Sequence, residues 1–254
     1  MEELYTTWKA IGVAGGDLSF FQDFFVKFYQ AFIEGDRWLQ YLNGVKTTLL
    51  VTALALILGI VLGVLVAMLR TAHDQQRPGH RNPILAVLNL ICKVYVTVIR
   101  GTPMMVQLLI MSMVIFSNSR NFTMVGALAL GINSGAYVSE IIRGGLMAID
   151  PGQMEAGRSL GLNYMTTMVV IIIPQAIRAV LPALGNEFII LLKDTSLITV
   201  IGGKELLYAA QGIMNRTYEP MFPLLGDALI YLVLVMLFTR LLAKFERRLA
   251  QSDR

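Results

Sequence analysis

The chain has 254 residues, of which 56% are hydrophobic and 15% are charged, and its mean hydropathy is +0.63. Because soluble domains carry about 25% charged residues, these charges are too few to solvate an ordinary globular surface. The abundant apolar surface excludes disorder, and a single cysteine excludes an intrachain disulfide or a multi-cysteine metal site. The net charge of +4 is too diffuse to indicate nucleic-acid binding. We therefore predict an all-α polytopic membrane protein with no metal site.

The chain begins with a segment, 1–45, that we place outside the cytoplasm or at the membrane interface. It contains an aromatic run that predicts an interfacial amphipathic helix from Phe20 to Leu42. A membrane domain, 46–245, follows, and 246–254 forms a tail. Since a transmembrane helix needs roughly 20 mostly apolar residues, the sequence predicts five spans. They lie at about 46–70, 94–116, 122–142, 165–192 and 221–243.

The second of these spans is the least regular. The apolar stretch 84–116 is too long for one untilted crossing, and Arg100-Gly101-Thr102-Pro103 interrupts it. Proline biases the preceding residue away from helical backbone. We interpret the part that begins at Ile84 as a helix approaching the bilayer and 94–116 as the main crossing.

The charges flanking the spans predict the orientation. Segments 70–100, 143–164 and 240–254 carry 12 basic and 5 acidic residues, whereas segments 1–46, 117–121 and 193–220 carry 8 basic and 9 acidic residues. Cytoplasmic loops are the ones enriched in Lys and Arg. We therefore predict an N-terminus outside the cytoplasm and a cytoplasmic C-terminus.

The predicted cytoplasmic loop between the third and fourth spans contains a short helix at about 151–160. Asp150 is a good N-cap, Pro151 suits the first helical position, and Gln153 can return the capping hydrogen bond. Gly161 is typical of a left-handed helix end. Capping alone leaves two interpretations open: an ordinary connecting helix, or a rigid helix that binds a partner and transmits force.

A longer pattern in this loop resembles the EAA signature of ABC-importer permeases. Glu155-Ala156-Gly157 is followed by Gly161 and, after nine residues, by Ile171-Ile172-Ile173-Pro174. The chain departs from the signature at Gly157, where Ala is expected, and at Ile173, where Leu is expected. Three further segments resemble the polar amino-acid subfamily of these permeases: 100–103, 136–145 and 184–197.

The resemblance implies a type I ABC-importer permease with a five-helix core in the bacterial cytoplasmic (inner) membrane. Its implied partners are the lipid bilayer, a second permease subunit that is identical or related, an ABC ATPase dimer and an extracytoplasmic amino-acid-binding protein. ATP and Mg would bind to the ATPase, so this chain would be no enzyme and hold no cofactor. In agreement, the sequence contains no G-x-x-x-x-G-K-[ST] phosphate-binding loop.

The resemblance, together with the local chemistry of the loop and of the spans, gives the candidate residues. Those that would couple the loop to the ATPase are Asp150, Gln153, Glu155, Ala156, Gly157, Ser159 and Gly161. Polar side chains within or next to spans usually face a pore, a cavity or a partner. The candidates for the substrate path are Asn133, Asn186, Glu187, Lys193 and Asp194, and those for structural or gating roles are Arg100, Pro103, Glu140, Arg143, Pro174, Arg178 and Pro182.

Simpler roles compete with several of these assignments. Glu140 and Arg143 could form an i, i+3 ion pair, and Glu187 could make an inter-helix hydrogen bond. The alternative function is an ATP-independent secondary transporter or channel, but five spans without an evident duplication are not typical of inverted-repeat carriers. An intramembrane enzyme ranks last, since neither H-E-x-x-H nor G-x-S-x-G occurs.

Overall fold

The computed structural model describes residues 1–76 and 82–251, and within this part every regular element is a helix. The last three residues of the predicted tail lie outside it. In chain order the helices are α1 (Glu2–Val13), α2 (Phe20–Phe32), α3 (Arg37–Asp74), α4 (Pro83–Gly101), α5 (Met104–Ile110), α6 (Phe122–Met147), α7 (Pro151–Ser159), α8 (Tyr164–Thr167), α9 (Ile173–Asp194), α10 (Leu206–Thr217) and α11 (Met221–Gln251).

Five helical stretches in the described residues are long and apolar enough to cross a membrane, which confirms the predicted number. They are Glu34–Asp74, Pro83–Gly101, Phe122–Met147, Tyr164–Ile201 and Met221–Arg248. Much of their apolar surface is exposed, including Leu50, Ile57, Val169 and Val233. Such a surface suits lipid or a partner subunit rather than water.

The second span differs from the predicted helix at 94–116. α4 ends at Gly101, Thr102 is extended, and α5 begins at Met104 and continues as a π-helical turn to Ile115. Pro103 has no N–H to donate to the carbonyl of Ile99. The side chain of Gln107 replaces this bond by donating from Nε2 to Ile99 O at 2.7 Å. The long apolar helix is therefore the earlier part of the stretch, and the proline breaks it.

The first and third spans pack closely around two glycines. A Cβ atom on Gly59 would lie 2.7 Å from Ser134 Oγ, and one on Gly63 would lie 2.5 Å from Val138 Cγ1. Both distances are shorter than a van der Waals contact, so the two backbones approach where side chains are missing. α3 and α6 form the centre of the bundle, whose buried apolar residues include Val51, Ala55 and Leu130.

The fourth span is a composite helix. α8 runs into a π-helical segment, Met168–Ile172, then into α9, and a 3₁₀ segment, Thr195–Ile201, ends it. Pro174 is the second residue after the π-helical segment and cannot donate a backbone hydrogen bond. The irregularity therefore lies beside this proline, whereas Pro182 lies inside continuous α9.

Two regions outside the predicted spans differ from what the sequence predicted. Segment 193–220 contains α10, which buries Leu206, Ala210 and Ile213 completely. In the N-terminal segment, the predicted helix from Phe20 to Leu42 is broken. Positive φ angles at Gly35 (60°) and Asp36 (54°) separate α2 from α3.

Candidate functional site

The short helix α7 is closed at both ends by its own sequence. Asp150 accepts a hydrogen bond from Gly152 N at 2.7 Å, and Pro151 occupies the first turn, as predicted. At the other end Gly161 has a φ of 83°, with Gly161 N donating to Arg158 O and Leu162 N to Gly157 O. This pair of bonds is the Schellman arrangement, which stops a helix at a defined residue.

One side of α7 packs against the start of the fourth span. Gly157 is buried, and a Cβ atom there would lie 2.5 Å from Cγ2 of the fully buried Thr167. The predicted capping hydrogen bond from Gln153 is replaced by a contact between helices, since Gln175 Nε2 donates to Gln153 Oε1 at 3.4 Å. α7 is therefore attached directly to the membrane helix that follows it.

The other side of α7 faces away from the protein. Three residues of the predicted coupling set are exposed away from that contact, namely Glu155, Ala156 and Ser159. Gln153 is also exposed, but it lies one turn from Gly157 on the packed side. Within the described residues Glu155 forms no ion pair. A short, doubly capped helix with an exposed acidic side chain is suited to contact a partner.

Two ion pairs connect α3 to α6 at the same end of the bundle. Glu140 is paired chiefly with Arg70, while its distance to Arg143 Nε is 4.0 Å. Arg143 Nη1 lies 3.1 Å from Asp74 Oδ2. The predicted i, i+3 pair within α6 is thus secondary to pairs between helices, because the end of α3 carries the complementary charges.

The candidate path residues fall into two groups. Glu187 is buried and accepts a hydrogen bond from Ser134 Oγ at 2.7 Å. This is the inter-helix hydrogen bond that competes with a role in the substrate path. Asn133 donates to Gln107 Oε1 at 2.9 Å and so supports the break beside Pro103. Both side chains therefore hold helices together.

The other candidates lie on an exposed face of α9. Residues at spacings of four, three, four and three form one stripe along the helix. They are Ala179, Ala183, Asn186, Ile190 and Lys193, and all are exposed. Asp194 is half-buried at the end of this helix.

The candidate gating residues occupy separate places. The Arg100 guanidinium lies over the Tyr137 ring at 5.2 Å from its centroid, so it joins α4 to α6. Arg178 is exposed on α9. The contact of Arg100 with Tyr137 is structural. Gating roles for Arg100 and Arg178 stay predictions.

Sequence reasoning missed a buried carboxylate, Glu205, which is only 1% exposed. It caps α10 by accepting from Tyr208 N at 2.8 Å, and it also accepts from Tyr231 Oη at 2.7 Å, from Thr199 Oγ1 and, at 3.5 Å, from Thr48 Oγ1. One carboxylate thus joins α3, the 3₁₀ segment, α10 and α11. Its cap position before an apolar run was the only signal in the sequence.

Comparison with known proteins decides the family. Residues 84–251 match the family described as "Binding-protein-dependent transport system inner membrane component". This match covers most of the chain and both the α7 region and the fourth span. The chain belongs to this family.

Two relatives and a solved structure cover from two thirds to nine tenths of the chain. A "Putative glutamine transport system permease protein GlnP" from Rickettsia typhi is 35% identical, over 89% of this chain and 97% of its own. The "Arginine transport system permease protein ArtQ" of Bacillus subtilis is 37% identical, over 67% and 84%. A crystal structure of an amino acid ABC transporter with histidines is 41% identical, with a TM-score of 0.74 over 82% and 94%. The predicted resemblance and fold class are thereby confirmed.

Membership in this family makes the chain a transport component of the inner membrane and not an enzyme. It also implies an ATPase partner and another permease. A methionine ABC transporter, MetNI, shares the fold at 20% identity, with a TM-score of 0.67.

Gly157, which departs from the EAA signature, predicts that substitutions at positions 157 and 167 are coupled in their effects on stability. Gly157→Ala restores the signature residue but places a methyl group against Thr167 Cγ2, so we expect α7 to shift and the protein to lose about 1–3 kcal/mol of stability. Thr167→Ala removes both the methyl group and the hydroxyl group, which would lie 2.5 and 2.9 Å from the new Cβ atom. Thermal unfolding in detergent should show the single variant destabilised and the double variant largely restored. Additive losses in the double variant would contradict this packing.

Proposed function

We propose that this chain is the permease subunit of an ATP-driven amino-acid importer and that α7 is its coupling helix. The observation that carries the proposal is the geometry of α7. It is capped at both ends, attached through Gly157 to the fourth span, and exposes Glu155 on its free side. Force applied to such a helix passes into the fourth span, because Gly157 packs directly on Thr167 of α8. Only the short turn 160–163 separates α7 from α8 along the chain.

The arrangement of partners is part of the proposal. An ATPase dimer would bind α7 from each of two permease subunits, which are identical or related, and an extracytoplasmic binding protein would deliver the substrate to the opposite side. This requires α7 and the C-terminus in the cytoplasm and the N-terminus outside. The excess of Lys and Arg on the α7 side supports that orientation. ATP and Mg belong to the ATPase.

The exposed stripe on α9 is our proposed part of the substrate path. It combines the small residues Ala179 and Ala183 with the polar side chains of Asn186 and Lys193. α9 begins directly after the π-helical segment, and that segment contacts α7. A face of this kind is poorly suited to lipid, because Asn and Lys are costly in hydrocarbon. Between two permease subunits it would offer hydrogen bonds and charge to a zwitterionic solute.

The substrate class follows from the relatives. Proteins named for glutamine and arginine transport are 35% and 37% identical to this chain. We propose a polar amino acid as the substrate.

Reconstitution tests this function directly. Vesicles containing the chain, its ATPase and its binding protein are expected to accumulate a radiolabelled polar amino acid only when ATP is supplied to the ATPase side. Asn186→Leu should lower this uptake without loss of the ATPase from the complex, whereas Asn118→Leu, in the exposed turn before α6, should not.

The same vesicles distinguish the proposed importer from the alternative function. A secondary transporter or channel would equilibrate the amino acid across vesicles that contain this chain alone. Uptake of that kind, unaffected by ATP, would overturn the proposal.

A further inference from the structure

The last span ends in a column of basic side chains on one face of α11. At about 100° per residue, Arg240, Lys244, Arg247 and Arg248 fall within an arc of about 100° of the helix. All four are exposed. Together with Ala243 they line a groove of about 490 Å³. Glu246, the acidic residue in this stretch, falls outside that arc.

These charges have no counterpart within the described protein. The ion pairs of the described side chains all involve other residues, so none of the four cations contacts a described carboxylate. Four neighbouring unpaired cations repel one another, because like charges at i, i+4 destabilise a helix. An anion placed in the groove would relieve this repulsion.

The position of the column along α11 indicates which anion. Met221 and Arg240 are separated by about 30 Å of helix, which is the thickness of the hydrocarbon layer. Arg240 then lies at the edge of the hydrocarbon, and Lys244 to Arg248 lie at the depth of the lipid headgroups.

The apolar part of the same face supports a lipid. Leu229, Val233 and Leu237 lie within the arc of the basic column, one or more turns deeper, and are 60%, 63% and 49% exposed. A continuous face therefore passes from exposed aliphatic side chains to exposed cations. This order matches the acyl chains and the phosphate of a phospholipid.

We propose that this face of α11 is a binding site for an anionic phospholipid, with its phosphate between Arg240, Lys244 and Arg247 and its acyl chains along Val233 and Leu237. The proposal goes beyond the transport function and does not depend on the substrate, the ATPase or the direction of transport. It depends only on α11 crossing the bilayer.

Spin-labelled lipids test the site in vesicles that contain the full chain. The probes are spin-labelled phosphatidylglycerol and phosphatidylcholine in a phosphatidylcholine bilayer, and the measured quantity is the fraction of each that is immobilised by the protein. We expect an association constant about fivefold higher for phosphatidylglycerol, since each basic side chain near the surface adds to the attraction. The triple variant Arg240→Gln, Lys244→Gln, Arg247→Gln should reduce this ratio to about one.

A matched control distinguishes the loss of this site from the loss of overall positive charge. Lys46→Gln, Arg120→Gln and Lys204→Gln remove the same charge from exposed positions elsewhere and should leave the preference unchanged. An equal loss in both triple variants, or none in the α11 variant, would overturn the proposal. So would a column variant that keeps its lipid preference but releases the ATPase, which would make this face a protein contact. Thermal unfolding verifies that both variants are folded.

Discussion

Replacing Glu155 with lysine is expected to lower ATP-driven uptake at least about tenfold while the chain still inserts into the membrane, because placing like charges against each other across an interface costs several kcal/mol. Glu155 is exposed on α7, and its side chain makes no ion pair with a described residue. Its substitution should therefore leave the fold intact and change what α7 presents to a partner. The measurement is ATP-dependent uptake in vesicles, together with the amount of ATPase that copurifies.

Two further variants distinguish the reasons for such a loss. Glu155→Gln retains the shape of the side chain and removes only its charge. Glu3→Lys makes the same charge reversal on the exposed part of α1, far from α7 in the fold. Normal uptake by Glu155→Lys would disprove the coupling role, and an equal loss in Glu3→Lys would attribute the effect to net charge.

Replacing Glu205 with alanine is expected to destabilise the protein by about 3 kcal/mol or more, because the substitution removes a helix cap and leaves buried donors without an acceptor. The donors are the hydroxyl groups of Thr199 and Tyr231 and the backbone N–H of Tyr208. These donors belong to three different elements. The loss of their hydrogen bonds to Glu205 should therefore loosen the packing of α10 against both α3 and α11. Thermal unfolding in detergent should show the midpoint lowered by about 5 °C or more.

A smaller change at the same cluster provides the control. Tyr231→Phe removes one donor and keeps the carboxylate with its other partners, so its effect should be clearly smaller than that of Glu205→Ala. Equal midpoints for native protein and Glu205→Ala would contradict the role of this carboxylate as the link between the elements.

The local chemistry of α7 was predictable because it depends on neighbours in the chain. An N-cap, a first-turn proline and a terminal glycine act within a few residues, and each lies where the sequence placed it. The break at Pro103 was predictable for the same reason. Which side of the break held the long helix was not, because it depends on Gln107 reaching back to Ile99 and on Asn133 from another helix.

The partners of charged residues were less predictable. Spacing within α6 suggested a pair between Glu140 and Arg143, yet Arg70 and Asp74, about 70 residues earlier, provide the main contacts. Glu205 is a further case, because two of its partners, at residues 48 and 231, lie 157 and 26 positions away along the chain. Distances along the chain of this size leave no periodic signal in one sequence.

The low charge and high hydrophobic content by themselves determined that this chain is a membrane protein. The lengths of its apolar stretches determined five spans, since apolar length decides whether a helix can cross a bilayer. The EAA pattern indicated the family, because its residues lie within one short stretch from Glu155 to Pro174, and comparison with known proteins confirmed it. Only the tertiary structure decided which polar side chains pack inside the bundle, such as Glu187, and which remain exposed, such as Asn186. The reason is that burial of a helix face depends on the helices around it, and these are set by contacts between distant parts of the chain.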